Sequence, residues 1–230
     1  MSKVVKKHRA AREAVGAAEA LPLQEALQKV ISTAHTKFDE SVDVDVVLGI
    51  DATKGDPGVR GAVLLPHGTG KQVRVVAFAK GEYEEAAQKA GADYVGVEDL
   101  IEKIQGGWTG FDAAVATPDL MGAVGKVARV LGPRGLLPNK KIGTVTFDIA
   151  SIVDELKKGR VSYRNDKTGV LHAPFGKVSF GAEKLAENLK ALLKAVVASK
   201  PTASRGRYIR KVSISSSMGI GMEVQLDNIL

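Results

Sequence analysis

The spacing of apolar residues changes period twice along this 230-residue chain, and those changes limit the folds open to it. Val42, Val44 and Val46 alternate with Asp43 and Asp45, the mark of a strand with one wet face. VRGAVLLP (59–66) reads as a second such strand, joined to the first through the turn KGDPG (54–58) as a hairpin or its long-loop equivalent. Past HGTGK (67–71) the alternation stops. VRVVAFA (73–79) is an unbroken apolar run suited to a buried parallel strand. EYEEAAQKA (82–90) is helical and ends at Gly91. DYVG (93–96), EDLIEKIQ (98–105), FDAAVATP (111–118) and DLMGAVGKVARVL (119–131) continue as strand, helix, strand and helix, and IASIVDELKKG (149–159) is a further helix. This β-α-β rhythm predicts an open, mostly parallel sheet.

Near residue 160 the pattern changes again. GRVSYRND (159–166), GVLHAP (169–174) and GKVSF (176–180) read as short strands, and the chain closes with two alternating strands around SSSMGIG (215–221). Two amphipathic helices belong with these strands. One follows Pro22, with Leu23, Ala26, Leu27, Val30 and Ile31 on one face; the other spans 182–200, with Leu185, Leu189, Leu192, Leu193 and Val196. Strands 42–50, 59–66 and 212–226 share the one-face-wet pattern. The fold class expected is therefore α/β with two domains: a discontinuous α+β domain built from both chain ends (1–68 and 160–230), and an inserted Rossmann-like β-α-β domain (69–159). The chain would cross between them twice, and Gly68, Gly70 and Gly159 suit a hinge there.

Composition narrows the function. Apolar residues at 44% suffice for real cores, and with only 5% aromatics those cores must be Val, Leu, Ile and Ala. The absence of cysteine excludes disulfides and thiolate metal sites and fits a cytoplasmic protein. The N-terminus starts with Lys3, Lys6, Lys7, Arg9 and Arg12 but has no apolar h-region, and no run approaches the ~18 apolar residues of a membrane span. The net charge of +7 lies entirely in the last third: Lys+Arg and Asp+Glu number 9 and 9 over residues 1–68, 12 and 12 over 69–159, and 12 and 5 over 160–230. Such an excess is either a solvated face or an electrostatic footprint for phosphates.

The stretch VLGPRGLLPNKK (130–141) favours phosphates. Pro133 and Pro138 block helix, Gly132 and Gly135 permit tight turns, and Leu136 and Leu137 sit in a loop otherwise built for exposure. A loop that rigid and basic presents a shaped surface to an anion, nucleic acid above all. HGTGK is not a nucleotide loop: the pattern G-x-x-x-x-G-K-[ST] fails at Leu65 and Gln72. No G-x-G-x-x-G follows the strand at 73–79 either. The four histidines (His8, His35, His67, His172) have no metal-ligand spacing, so no cofactor or metal is expected. His172, in a strand beside basic residues, is either a satisfied structural histidine or a ligand contact. Ser215, Ser216 and Ser217 lack the G-x-S-x-G elbow of a hydrolase. A hydroxyl followed by permissive Gly219 instead lets a strand end approach a sugar-phosphate backbone, where Ser217 could test a 2′-hydroxyl. Phe38, beside Lys37, is either a core plug or, if exposed, a surface that stacks on a base or ribose.

Taken in order, these segments resemble the bacterial large-subunit ribosomal protein L-one family over nearly the whole chain. MGAVGKVARVLGPRGLLPN (121–139) carries the resemblance most specifically, with KFDESVDVDVVLGID (37–51), VRGAVLLPHGTGKQVRVVAFAKG (59–81), YRNDKTGVLHAPFGKVSF (163–180) and the terminal SSSMGIG. The resemblance implies a ribosomal structural protein, not an enzyme, located in the cytoplasm on the ribosome. It implies binding to rRNA of a mobile stalk near the tRNA exit site, help in releasing deacylated tRNA, and repression of translation from the protein's own messenger RNA. It involves no membrane, cofactor or small-molecule substrate. Carried over by motif, the rRNA contacts fall on Lys37, Phe38 and Ser41, on His172, Gly176 and Lys177, and on Ser217, Met218 and Gly219. The family often has threonine where Ser217 stands; serine keeps the hydroxyl and loses the methyl. The inserted domain would face tRNA through Arg134, Lys140 and Lys141. Because the insert is neutral in sum, that contact is expected to be weaker and more salt-sensitive than the rRNA contact. The rivals are a nucleotide-dependent enzyme using the insert, which the missing phosphate loop disfavours, and a basic RNA chaperone without site specificity.

Overall fold

A computed structural model describes residues 8, 9, 11–13, 15, 20–50, 58–201, 204 and 206–226. The turn expected at 54–58, all but Gly58, and the basic residues Lys3, Lys6, Lys7 and Arg205 lie outside the described residues. The elements run α1 (Leu23–Thr33), β1 (Ser41–Leu48), β2 (Arg60–Leu64), β3 (Val75–Phe78), α2 (Glu82–Lys89), β4 (Tyr94–Gly96), α3 (Glu98–Gln105), β5 (Ala113–Ala116), α4 (Met121–Val124), α5 (Ala128–Leu131), α6 (Ile149–Lys158), β6 (Arg160–Arg164), β7 (Val170–Lys177), α7 (Gly181–Ala198), β8 (Ile209–Ser216) and β9 (Met222–Val224). They fall into two compact units, Met1–Gly70 with Val161–Leu230, and Lys71–Arg160.

The first unit is built on a four-stranded antiparallel sheet ordered β7-β1-β8-β9. Strict alternation in β1 sends Val42, Val44, Val46 and Leu48 inward and leaves Ser41, Asp43, Asp45 and Val47 on the other face. Helices α1 and α7 cover the inner face, contributing Ala26, Leu27, Val30, Leu185, Leu189, Leu192, Leu193 and Val196 to one continuous core. Burying each of these leucines and valines is worth about 1.5–3 kcal/mol, so packing rather than propensity holds these helices.

Two expectations fail in this unit. The segments 42–50 and 59–66 do not form a hairpin: β1 pairs with β7 and β8, while β2 pairs with β6 in a separate two-stranded sheet that packs on α7. β1 is a central strand with two better-matched partners, and β2 has no comparable buried face. The stretches 169–174 and 176–180 are not two strands. One strand runs through Pro174 to Lys177, and Val178–Phe180 is a 3₁₀ turn. Pro174 is tolerated because β7 is an edge, and the register shift opposite Val42 and Asp43 absorbs Phe175 as a bulge.

The second unit is a three-stranded parallel sheet ordered β4-β3-β5. β3 is buried on both faces, as its unbroken apolar run requires. One face packs Val76 and Phe78 against α3, α4 and α5; the other packs Val75, Ala77 and Ala79 against α2 and α6. The single helix expected over 119–131 is in fact broken into a 3₁₀ turn (Pro118–Leu120), α4, a second 3₁₀ turn (Gly125–Val127) and α5. Gly122 and Gly125 each weaken helix by about 1 kcal/mol relative to alanine, and Val127 leaves the helical region at φ −101°. Among the described residues no helix is long and apolar enough to cross a membrane.

Candidate nucleic-acid interface

Three segments far apart in sequence meet at one end of the four-stranded sheet. They are the link from α1 to β1 (35–41), the end of β7, and the turn after β8 (217–219). Register puts Ser41 opposite Lys177, and Val42 opposite both Gly176 and Ser216. Ser41 and Ser217 lock together: the Ser217 amide donates to the Ser41 carbonyl at 3.0 Å, and the Ser41 amide donates to Ser217 Oγ at 3.1 Å. The Val178 amide donates to the Glu40 carbonyl at 3.0 Å, and Lys177 Nζ reaches the Asp39 carbonyl at 3.4 Å. The Asp39 carboxylate accepts from the amide and hydroxyl of Ser179 at 3.1 and 2.7 Å.

The side chains displayed there set two apolar groups beside a cation and a hydroxyl. Phe38 is 60% exposed and Met218 46% exposed, with Lys37 and Ser217 exposed beside them in sequence. Phe38 is thus no core plug. Two of the residues expected from sequence work beneath this surface. Gly176 is buried, and a Cβ there would come within 2.5 Å of Leu185. At Gly219 a Cβ would meet Ser216 Oγ at 2.3 Å, so a larger residue there requires Ser216 or the turn to shift. His172 is exposed but lies further along the sheet, opposite Asp45, with Nδ1 2.6 Å from Asp45 Oδ1.

The open face of the sheet is a poorer place for phosphates than its end. Asp43 and Asp45 project from its centre, and burial together with the neighbouring Asp45 charge pushes Asp43 above the ordinary carboxylate value. Lys211 is taken up by Glu223 at 2.5 Å.

The residue that sequence reasoning missed is Glu40, 1% exposed. Its Oε1 accepts from the amides of His35 and Thr36 at 3.2 and 3.1 Å, and Oε2 accepts from the Met218 amide at 3.3 Å. Burial alone would raise its pKa, but hydrogen bonding, with the Thr36 and Met218 amides among the donors, outweighs that and holds it below the usual value. An acid inside a motif read for its affinity to phosphate gives no such signal in sequence.

In the second unit, the stretch 132–141 is shaped from within. Leu136 and Leu137 are half-buried against the α3–α5 core, and Pro138 is buried. The Leu136 amide donates to the Leu131 carbonyl at 3.1 Å, and Gly135 turns with φ +71°. Asn139 accepts from the Lys141 amide at 2.8 Å, capping a 3₁₀ turn (Lys140–Ile142) that leaves both lysines exposed. Exposed Arg134 donates to Thr109 Oγ1. Of the glycines expected at the crossings, Gly68 (φ +66°) accepts from the buried Asn188 side chain at 3.0 Å, Gly70 has φ +71°, and Gly159 (φ +106°) ends α6.

A cavity of about 700 Å³ opens beyond the carboxyl ends of β3 and β4, where doubly wound sheets bind ligands. Its lining includes Lys80 and Lys126 but also Glu84, Glu98, Asp99 and Glu102, a balance hostile to a nucleotide's phosphates. Among the described residues no group of three or more His, Cys, Asp or Glu is placed to hold a metal ion.

Comparison with known proteins gives the family. The model of the ribosomal protein L1p/L10e family matches residues 29–220, which takes in the strand-end site and the 132–141 loop. The large ribosomal subunit protein uL1 of Desulfosudis oleivorans is 53% identical over 230 residues, covering 100% of this chain and 97% of that protein. The chain belongs to the ribosomal protein L1p/L10e family.

Proposed function

We propose that this protein is a structural constituent of the large ribosomal subunit whose first unit binds rRNA of a mobile stalk near the tRNA exit site. The observation that carries the reading is the convergence of Lys37, Phe38, Ser41, Lys177, Ser217 and Met218 on one sheet end. An exposed ring and thioether beside cations and hydroxyls suit splayed bases, riboses and phosphates together. Shape selects the folded RNA, and Lys and Arg neutralise its phosphates; no bond is made or broken. Gly176 and Gly219 serve by permitting close packing. His172, paired with Asp45, marks the far edge of the footprint.

The second unit faces tRNA through Arg134, Lys140 and Lys141 and helps release deacylated tRNA. Repression of the protein's own messenger uses the same strand-end site, with the messenger presenting an rRNA-like fold. Domain assignment follows: 1–68 with 160–230 binds rRNA, 69–159 meets tRNA, and glycines 68, 70 and 159 form the hinge. The protein acts in the cytoplasm, on the ribosome.

The test is affinity for a stalk rRNA fragment against a scrambled fragment at fixed salt, for wild type and for Ser217→Ala with Met218→Ala. Wild type is expected to prefer the stalk by orders of magnitude and the variant to lose that preference. Equal binding of both RNAs by wild type would leave only electrostatic attraction and sink the reading.

A further inference from the structure

We propose that Glu40 is the positioning residue that sets the shape, and with it the RNA selectivity, of the strand-end interface. The inference rests on the rRNA-binding reading above. Glu40 touches no solvent-facing ligand position: its side chain is buried, and its partners are the backbone amides of His35, Thr36 and Met218. These amides belong to two segments near opposite ends of the chain, and the segments carry Phe38 and Met218, the two exposed apolar groups of the site. One carboxylate therefore fixes both relative to each other.

The choice of a charge here is informative. A buried carboxylate loses its hydration, and a neutral apolar plug would fill the same space without that cost. What a plug cannot do is accept from amides on two sides at once. Both carboxylate oxygens are acceptors, and an ionised acceptor holds its donors more strongly than a neutral one of the same shape. The neighbouring links do not duplicate this. Ser41–Ser217 and Val178–Glu40 join the strands behind the turn, whereas the Met218 amide is reached by Glu40 Oε2.

The same geometry shows how to break the device while leaving the fold. In Glu40→Gln one of the two oxygens becomes an NH₂, a donor set against donors, so one of the two segments is released whichever way the amide lies. In Glu40→Asp the charge stays but the side chain is one methylene too short to span both segments. Neither variant removes a cation, so the salt dependence of binding should not move.

The experiment uses the full-length chain, with wild type, Glu40→Gln, Glu40→Asp and the Ser217→Ala/Met218→Ala variant. Each is titrated with the stalk rRNA fragment and the scrambled fragment over a range of salt, alongside thermal melts. Both Glu40 variants are expected to melt as folded proteins and to lose about tenfold or more of the stalk preference. Their affinity for scrambled RNA and their salt slope are expected to stay at wild-type values. A role in stability alone would lower binding to both RNAs together, and that result overturns the proposal. So does a wild-type preference in a folded Glu40 variant when Ser217→Ala/Met218→Ala has lost it; the rRNA reading then survives without Glu40. A wild type with no preference overturns both. Should neither Glu40 variant fold, amide exchange in the wild-type chain decides: slow exchange at Thr36 and Met218 supports the bridge, and exchange at the free-peptide rate overturns it.

Discussion

The strand-end site and the 132–141 loop both present cations and small turns at the surface, but they are stiffened by opposite means. At the strand end, Glu40 and the Ser41–Ser217 pair hold three chain segments together by polar contacts. In the loop, Leu136, Leu137 and Pro138 anchor a single segment to an apolar core, and polar contacts such as Asn139 to Lys141 only trim it. A polar clamp fixes angles and distances but fails when one partner changes. Apolar anchors tolerate changes at the surface and fail when the core side chains are cut. The first arrangement suits selection among RNA shapes. The second suits a firm but forgiving contact, in keeping with a unit whose charges cancel.

Cutting the anchors should therefore produce the largest effect. Leu136→Ala with Leu137→Ala is expected to destabilise the second unit by about 3 kcal/mol, less than two fully buried leucines would cost because both are half-exposed. Urea unfolding followed through Trp108, which packs on this core, reads it directly. Binding of the stalk fragment should be unchanged, and a parallel loss there would erase the contrast between the regions.

Gly219→Ala attacks the clamp. The new Cβ would fall 2.3 Å from Ser216 Oγ, so the turn must open or Ser216 must move. A cost of about 2 kcal/mol is expected, seen as roughly thirtyfold weaker stalk binding. A thermal melt should fall by only a few degrees. Wild-type affinity in this variant would show that the turn does not need its closed form.

The triple variant Arg134→Ala, Lys140→Ala, Lys141→Ala should leave stability within about 0.5 kcal/mol, since all three are exposed. Its effect should be confined to tRNA, with the slope of log affinity against log salt reduced by up to about 2–3. An unchanged slope would remove these cations from the tRNA contact.

What could be read from sequence divides along physical lines. Elements set by a clear period were legible: β1 from its Val/Asp alternation, β3 from its unbroken apolar run, and α7 from its leucine stripe. Pairing was not. The hairpin of 42–50 with 59–66 failed because sequence neighbours compete with distant partners, and β7 and β8 win on matched faces more than 120 residues away. The broken helix at 119–131 had its cause in view, Gly122 and Gly125, but the apolar period masked it. In the site, Phe38 left two readings open in sequence, and its exposure removes the core plug. Glu40 was invisible because its role depends on amides, which every residue carries.

The smallest expected effect concerns an ion-pair cluster in the second unit, and it sharpens the comparison by asking whether that unit also holds a polar clamp. Asp112 accepts from Lys71 Nζ at 2.6 Å and from the amide and Nε of Arg74, both at 3.2 Å, tying the start of β3 to that of β5. The Lys71 hydrogen bond, opposed by burial and aided by Arg74, lowers its pKa from 3.8 to about 2. A carboxylate whose pKa is depressed in the folded state stabilises that state at pH above its unfolded value. The contribution is present from about pH 4 upward and fades as pH falls toward 2. Because both cations are largely exposed, solvent screening reduces the benefit to about 1 kcal/mol. Asp112→Asn should then lower stability at pH 6 by about that amount, be nearly neutral at pH 2, and flatten the curve between. Raised salt should shrink the difference at pH 6, since the lysine and arginine ends of the cluster face water. A variant that loses several kcal/mol at pH 6, or that loses as much at pH 2, would mean the cluster acts through buried packing and that the two regions are stiffened less differently than their contacts suggest.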